Sequence, residues 1–210
     1  MKLERKMLTL YAVTDRSWLG NDTLYQQVEK ALMGGVTMVQ LREKNLSREE
    51  FEEEAKKLLP LCRAYKAPLI INDDVELAKK TNADGVHIGQ SDMQIQKARE
   101  ILGKDKIIGV TAKTVAQAKE AEAAGADYLG SGAVFGSSTK KDAIPMEHSL
   151  LQEICRSVKI PVVAIGGITA ENAMQLKGRG MDGIAVVSGI FACPDIKQAA
   201  QTLLAIAEEM

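Results

Sequence analysis

Asn82-Ala83-Asp84-Gly85-Val86-His87-Ile88-Gly89 combines a helix stop, a turn and an apolar run. The same joint returns at Gly125-Ala126-Asp127 and at Gly180-Met181-Asp182-Gly183, and Gly34-Gly35-Val36 repeats it without the acid. Each follows a stretch of helical period and enters a run rich in Val and Ile. One such joint is no more than a good helix stop and turn. Read from positions 36, 84, 127 and 182, the spacings are 48, 43 and 55 residues, each long enough for two βα units. Four joints in register argue for one repetitive α/β domain over residues 1–210.

Outward from these joints, the apolar runs are 8–14, 36–42, 68–72, 85–89, 106–111, 127–132, 161–166 and 183–188. They are nearly unbroken by polar residues, as strands buried on both faces must be. Amphipathic helices lie between them. Leu24, Val28, Ala31 and Leu32 line one face of the first, and Ile196, Ala199, Ala200 and Leu203 one face of the last. Capping boxes are expected at Ser47/Glu50, Ser91/Gln94 and Thr114/Gln117. Pro60 should kink or split the second helix. Eight βα units suit a (β/α)₈ barrel. An open doubly wound sheet is the rival, but Thr14-Asp15-Arg16-Ser17 follows the first strand where a glycine fingerprint would stand.

The charge balance excludes a mostly electrostatic partner. Basic residues number 27 and acidic ones 28, for a net charge of −1, without the basic excess of a general nucleic-acid or anionic-membrane binder. No apolar run approaches the ~20 residues of a membrane span. The charged start, Met1 to Lys6, does not read as a signal peptide, so a cytoplasmic protein is expected. Cys62, Cys155 and Cys193 are odd in number and widely spaced, which argues against a disulfide framework. Cys62 and Cys155 fall on apolar helical faces and read as core thiols.

In a barrel the chemistry sits at the C-terminal ends of the strands. Strand two ends Gln40-Leu41-Arg42-Glu43-Lys44, and alternation puts Gln40, Arg42 and Lys44 on one side. Two cations and an amide suit a multiply charged anion; alone, they would equally suit a solvated loop. Strand three ends Asn72-Asp73-Asp74 and strand four leads to Gly89-Gln90-Ser91-Asp92. Asp73 and Asp92 could share Mg²⁺, which takes one or two carboxylates and fills its shell with phosphate and water. Helix capping is the competing role for Asp73 or Asp74, and a first-turn acid for Asp92. His87 reads as a satisfied interior residue and His148 as a surface one. The Thr111 hydroxyl, at the end of strand five, could meet a ligand or its own backbone. The segment from Gly132 to Asp142 reads as an anion clamp over the site or as a surface loop. Gly166-Gly167 after strand seven and Val187-Ser188-Gly189 after strand eight suit a phosphate site. Two anion sites across one mouth suggest a transferase.

Six motifs carry a family resemblance: Tyr11-Ala12-Val13-Thr14-Asp15, Val39 to Lys44, Ile71-Asn72-Asp73, His87 to Asp92, Ser138-Thr139-Lys140 and Val163 to Ile168. In that order and at strand ends they resemble the thiamine phosphate synthases. The resemblance covers nearly the whole chain. It implies a (β/α)₈ barrel that joins hydroxymethylpyrimidine pyrophosphate to thiazole phosphate and releases pyrophosphate. By that resemblance, Gln40, Leu41, Arg42, Glu43, Lys44, Asn72, Thr111 and Lys140 hold the pyrimidine pyrophosphate. Asp73 and Asp92 hold Mg²⁺, and Ser137, Ser138, Thr139, Gly167, Val187 and Ser188 hold the thiazole phosphate. Arg42, Lys44, Thr111 and Lys140 then carry the chemistry: the pyrophosphate departs first and the thiazole nitrogen attacks the pyrimidinyl cation. Thr111 stands where the family usually has Ser, and Ser137 where it often has Thr. Two alternatives stay in view, a thiazole tautomerase-like paralogue and a non-catalytic binder of thiazole phosphate or thiamine phosphate. The partners expected are small molecules, with homo-oligomerisation left open.

Overall fold

The computed structural model describes residues 2–136 and 145–210. Strands and helices alternate: β1 (Leu10–Val13), α1 (Leu24–Met33), β2 (Met38–Leu41), α2 (Arg48–Ala64), β3 (Leu69–Asn72), α3 (Val75–Thr81), β4 (Gly85–Ile88) and α4 (Ile95–Leu102). Then follow β5 (Ile107–Thr111), α5 (Val115–Ala123), β6 (Tyr128–Gly132), α6 (His148–Ser157), β7 (Val162–Ile165), β8 (Gly183–Val186), α7 (Ser188–Phe191) and α8 (Ile196–Glu208). All eight neighbouring strand pairs are parallel, and β1 pairs with β8, so the sheet closes into a (β/α)₈ barrel. That pairing excludes the open sheet.

Each strand is four or five residues long and buried almost throughout, which is why the apolar runs lack alternation. One set of side chains, including Met38, Ile70, Ile107 and Val163, fills the barrel interior. A larger set from the opposite faces packs against the helices. The β7–β8 connection departs from the helical pattern. It carries a single 3₁₀ turn, Ala173–Leu176, whose Ala173 and Leu176 are buried.

Several local expectations need correction. α2 runs unbroken through Pro60, which lies on the exposed side, where the unpaired carbonyl one turn back can meet water. The Ser47/Glu50 capping box forms. Thr114 caps α5, but Gln117 Oε1 turns to the Lys113 N–H at 2.8 Å instead of completing the box. No box forms at Ser91, because Gly89 to Asp92 is folded into its own turn and α4 begins later, at Ile95. His148 is half-buried, its Nε2 3.1 Å from the Val134 carbonyl and its ring edge-on to Phe135. Cys62 is fully buried, which pushes its thiol up to about 12, whereas Cys155 is only partly covered.

The repeated joints have a common task at the base of the barrel. The Asp84 carboxylate accepts from the Leu69 N–H at 3.0 Å, Asp127 from the Ile108 N–H at 2.7 Å, and Asp182 from the Val162 N–H at 2.9 Å. In each case the acid's own N–H donates back to the same residue's carbonyl. The register between β1 and β2 places Thr37, not Val36, at the fourth position. Thr37 Oγ1 accepts from the Leu10 N–H at 2.9 Å and the backbone bond is again returned. Every even strand is thus clasped to the odd strand before it. An arginine covers each acid: Arg63 for Asp84, Arg99 for Asp127 and Arg5 for Asp182. No described helix is long and apolar enough to cross a membrane.

Candidate active site

The C-terminal strand ends open into one cleft of about 640 Å³. Its charged wall comes from β1 to β4. Thr14, fully buried after β1, accepts the Arg42 N–H on Oγ1 at 2.9 Å. Asp15 accepts from the Arg42 guanidinium at 3.2 Å, so both ends of Arg42 are fixed by the segment after β1. Lys44 Nζ donates to Asp73 Oδ2 at 2.8 Å. Asp74, not Asp73, caps α3, through Oδ1 to the Leu77 N–H at 2.8 Å. Asp73 stands at a left-handed φ of 64° beside the cap and lines the cleft. Burial pushes its carboxyl up, but the hydrogen bond and charge of Lys44 outweigh it and hold the pKa below the ordinary carboxylate value. Asp92 Oδ2 accepts from the Gly89 N–H at 2.6 Å and also lines the cleft. A Cβ at position 89 would stand 3.1 Å from that oxygen, so glycine lets the turn close.

Polar side chains run beneath the cleft, inside the barrel. Gln40 Nε2 donates to the Tyr11 hydroxyl at 2.7 Å, and the Tyr11 and Tyr128 hydroxyls lie 2.8 Å apart. The Tyr128 hydroxyl is 3.0 Å from His87 Nδ1, and His87 Nε2 is 3.0 Å from Thr111 Oγ1. Burial pushes the imidazole down to about 4, against a weaker pull from Asp73, so it is neutral near pH 7.

The opposite wall is built from backbone. Gly166 and Gly167 both have left-handed φ, 104° and 66°. Cβ atoms there would meet Ala133 at 2.5 Å and the Phe135 carbonyl oxygen at 2.7 Å. Val187 and Ser188 complete this wall, where β8 runs into the single turn of α7.

Gln40, Arg42, Lys44, Asn72, Asp73, Asp92, Thr111, Gly167, Val187 and Ser188 therefore meet in one cleft. Leu41 and Glu43 point elsewhere. Leu41 is fully buried among the helices. Glu43 takes both its bonds from Arg16 Nε, at 2.8 and 2.9 Å, and burial raises its carboxyl in spite of that partner. Ser137, Ser138, Thr139 and Lys140 lie outside the described residues. Sequence reading missed Tyr11, Gln90 and Lys113, which line the cleft, and the anchoring of Arg42 by Thr14 and Asp15. Inward alternation with Val13 on β1 was the available signal for Tyr11.

Comparison with known proteins decides the family. The family described as thiamine monophosphate synthase matches residues 10–190. The chain belongs to that family. A thiamine-phosphate synthase of Clostridium acetobutylicum is 53% identical over 200 residues, 95% of each chain. One of Ruminiclostridium cellulolyticum is 50% identical over 198 residues, 94% of each chain. Among solved structures, the thiamine phosphate pyrophosphorylase of Pyrococcus furiosus superposes with a TM-score of 0.90 at 42% identity, over 98% of both chains. The family is one of transferases, and the cleft described above is its candidate active site in this chain.

Proposed function

We propose that the chain joins hydroxymethylpyrimidine pyrophosphate to thiazole phosphate, with Mg²⁺, and releases pyrophosphate. The observation that carries the reading is one cleft with two unlike walls. Fixed cations and carboxylates line β2 to β4, and glycine-rich backbone lines β7 and β8. A pyrophosphate leaving group, the more highly charged anion, suits the first wall and a monoester phosphate the second.

The donor chemistry fits the metal. Asp73 and Asp92 are oxygen donors from adjacent strand ends, and both line the cleft. Among the described residues no group of three or more His, Cys, Asp or Glu forms a closed cage. Two carboxylates with room for phosphate and water are what a small hard cation takes. Asp73 and Asp92 would hold Mg²⁺, which would supply charge neutralisation for the departing pyrophosphate. The protein's own part is electrostatic. Arg42, already held by Thr14 and Asp15, meets the developing negative charge without reorganising. Lys44 supplies a second cation beside Asp73. Lys140 is assigned the same task from the family resemblance. Val163, Ile165 and Ala185 give the cleft an apolar floor that excludes water from a reactive cation. Thr111 keeps the hydroxyl of the family's usual Ser. The whole chain acts as one domain, in the cytoplasm.

The test is a coupling assay with both substrates and Mg²⁺, and an EDTA control. Thiamine phosphate is expected only with metal. Product formed equally with EDTA would overturn the metal assignment. Intact substrates with no product would move the reading to a tautomerase or a binding protein.

A further inference from the structure

The polar chain beneath the cleft has a direction. The Gln40 amide nitrogen can only donate, so the Tyr11 oxygen accepts from it. The single Tyr11 proton then has the Tyr128 oxygen, 2.8 Å away, as its hydrogen-bond partner. Tyr128 donates its own hydrogen bond to His87 Nδ1 at 3.0 Å. A ring nitrogen that accepts carries no proton, so the neutral imidazole holds its hydrogen on Nε2 and donates to Thr111 Oγ1 at 3.0 Å. With that oxygen accepting from the ring, the Thr111 proton turns away from His87 and toward the cleft.

We infer that Tyr11 and Tyr128 fix His87 as its Nε2–H tautomer, and that all three are positioning residues that present the Thr111 hydroxyl to the cleft as a hydrogen-bond donor. Burial makes the direction costly to break, because both tyrosines are buried inside the barrel. The barrel is also shaped for the two rings. A Cβ at Gly109 would stand 2.1 Å from the Tyr128 ring, and one at Gly130 would stand 3.0 Å from His87 Cε1. Glycine at both places, on β5 and β6, leaves the rings their room. The reverse polarity needs the Gln40 amide turned over, and it would give the cleft only a lone pair of Thr111.

A donor at Thr111 recognises an acceptor atom of the substrate, and on the synthase reading that is an oxygen of the pyrimidine pyrophosphate. The choice of acceptor rests on that reading; the tautomer does not. The experiment is a long-range ¹H–¹⁵N correlation on the full chain with ¹⁵N-labelled histidine. The chain has two histidines, so His148→Gln assigns the other signal to His87.

The wild type is expected to show a single Nε2–H tautomer. Tyr128→Phe removes the donor to Nδ1, so a tautomer mixture is expected, with kcat down about tenfold and KM nearly unchanged. Tyr11→Phe cuts the link to Gln40 but leaves Tyr128 able to donate, so a smaller admixture of the second tautomer and a loss of about twofold are expected. Thr111→Val should lose at least as much rate as Tyr128→Phe, and Thr111→Ser should restore it. An Nδ1–H tautomer in the wild type overturns the inference without any variant. So does Tyr128→Phe with an unchanged tautomer and rate, or equal rate losses from both tyrosine variants at an unchanged tautomer. Absence of product from the wild type would sink the synthase proposal and leave the tautomer measurement to decide this one.

Discussion

The two ends of the barrel use the same residue type in opposite ways. At the base, Asp84, Asp127 and Asp182 each bind a strand N–H and an arginine, and every polar partner is part of the fold. At the mouth, Asp73 and Asp92 face a cleft, and their neighbours are a lysine side chain and the N–H of a loop glycine. The difference is one of position along the strand. An acid just before a parallel strand meets the first N–H of its neighbour. An acid just after one meets solvent, or whatever fills the cleft. The rule that function lies at C-terminal strand ends and stability at N-terminal ones thus has a local cause in hydrogen-bond supply.

Breaking the mouth should abolish rate and leave stability alone. Asp92→Ala is expected to lower turnover by roughly two orders of magnitude or more, with the unfolding midpoint unchanged. Near-normal turnover would remove Asp92 from the proposed metal site.

Between the two ends, His87 links rate to pH stability. Its imidazole takes a proton near 6.5 in the unfolded chain but only near 4 in the native barrel. Within that window the unfolded state binds more protons. His87 thus contributes its full stabilisation above pH 6.5, which is lost as pH falls toward 4, for a total of roughly 3 kcal/mol. Urea unfolding of the wild type and His87→Gln across this window checks it. Parallel curves would place the acid sensitivity elsewhere.

Breaking the base should do the reverse of breaking the mouth. Asp84→Ala leaves the buried Leu69 N–H and the Arg63 guanidinium without their acid, at a cost of about 2 kcal/mol. Specific activity of the folded fraction should hold. A larger fall in rate than in stability would mean that the two ends are coupled. The smallest effect belongs to the uncharged clasp. Thr37→Val is expected to cost about 1 kcal/mol, read from the same urea midpoints.

All eight strands could be read from the sequence because a strand buried on both faces leaves an apolar run. The base joints were visible too, but their function was not. Thr37 lies two residues past the glycines of that joint, and only the β1–β2 register identifies it with Asp84. At the mouth, alternation was enough to bring Gln40, Arg42 and Lys44 together, and the same alternation sends Leu41 and Glu43 outward. Asp73 and Asp74 were indistinguishable as text. The backbone chooses between them, with Asp74 closing the helix and a left-handed Asp73 turning to Lys44. His87 was legible as an interior histidine. Its partners come from β5 and β6, and no local pattern encodes that meeting.

The clasps make the barrel a ring of four buttoned pairs with no privileged starting point. A backbone break between pairs opens no button. The exposed turn at residues 103–105, between the second pair and the third, is such a place. A circularly permuted gene that starts there, with the native ends joined, encodes all four pairs intact. A start between β3 and β4 would instead leave one button to be fastened by the two extremes of the chain, the last event in its assembly.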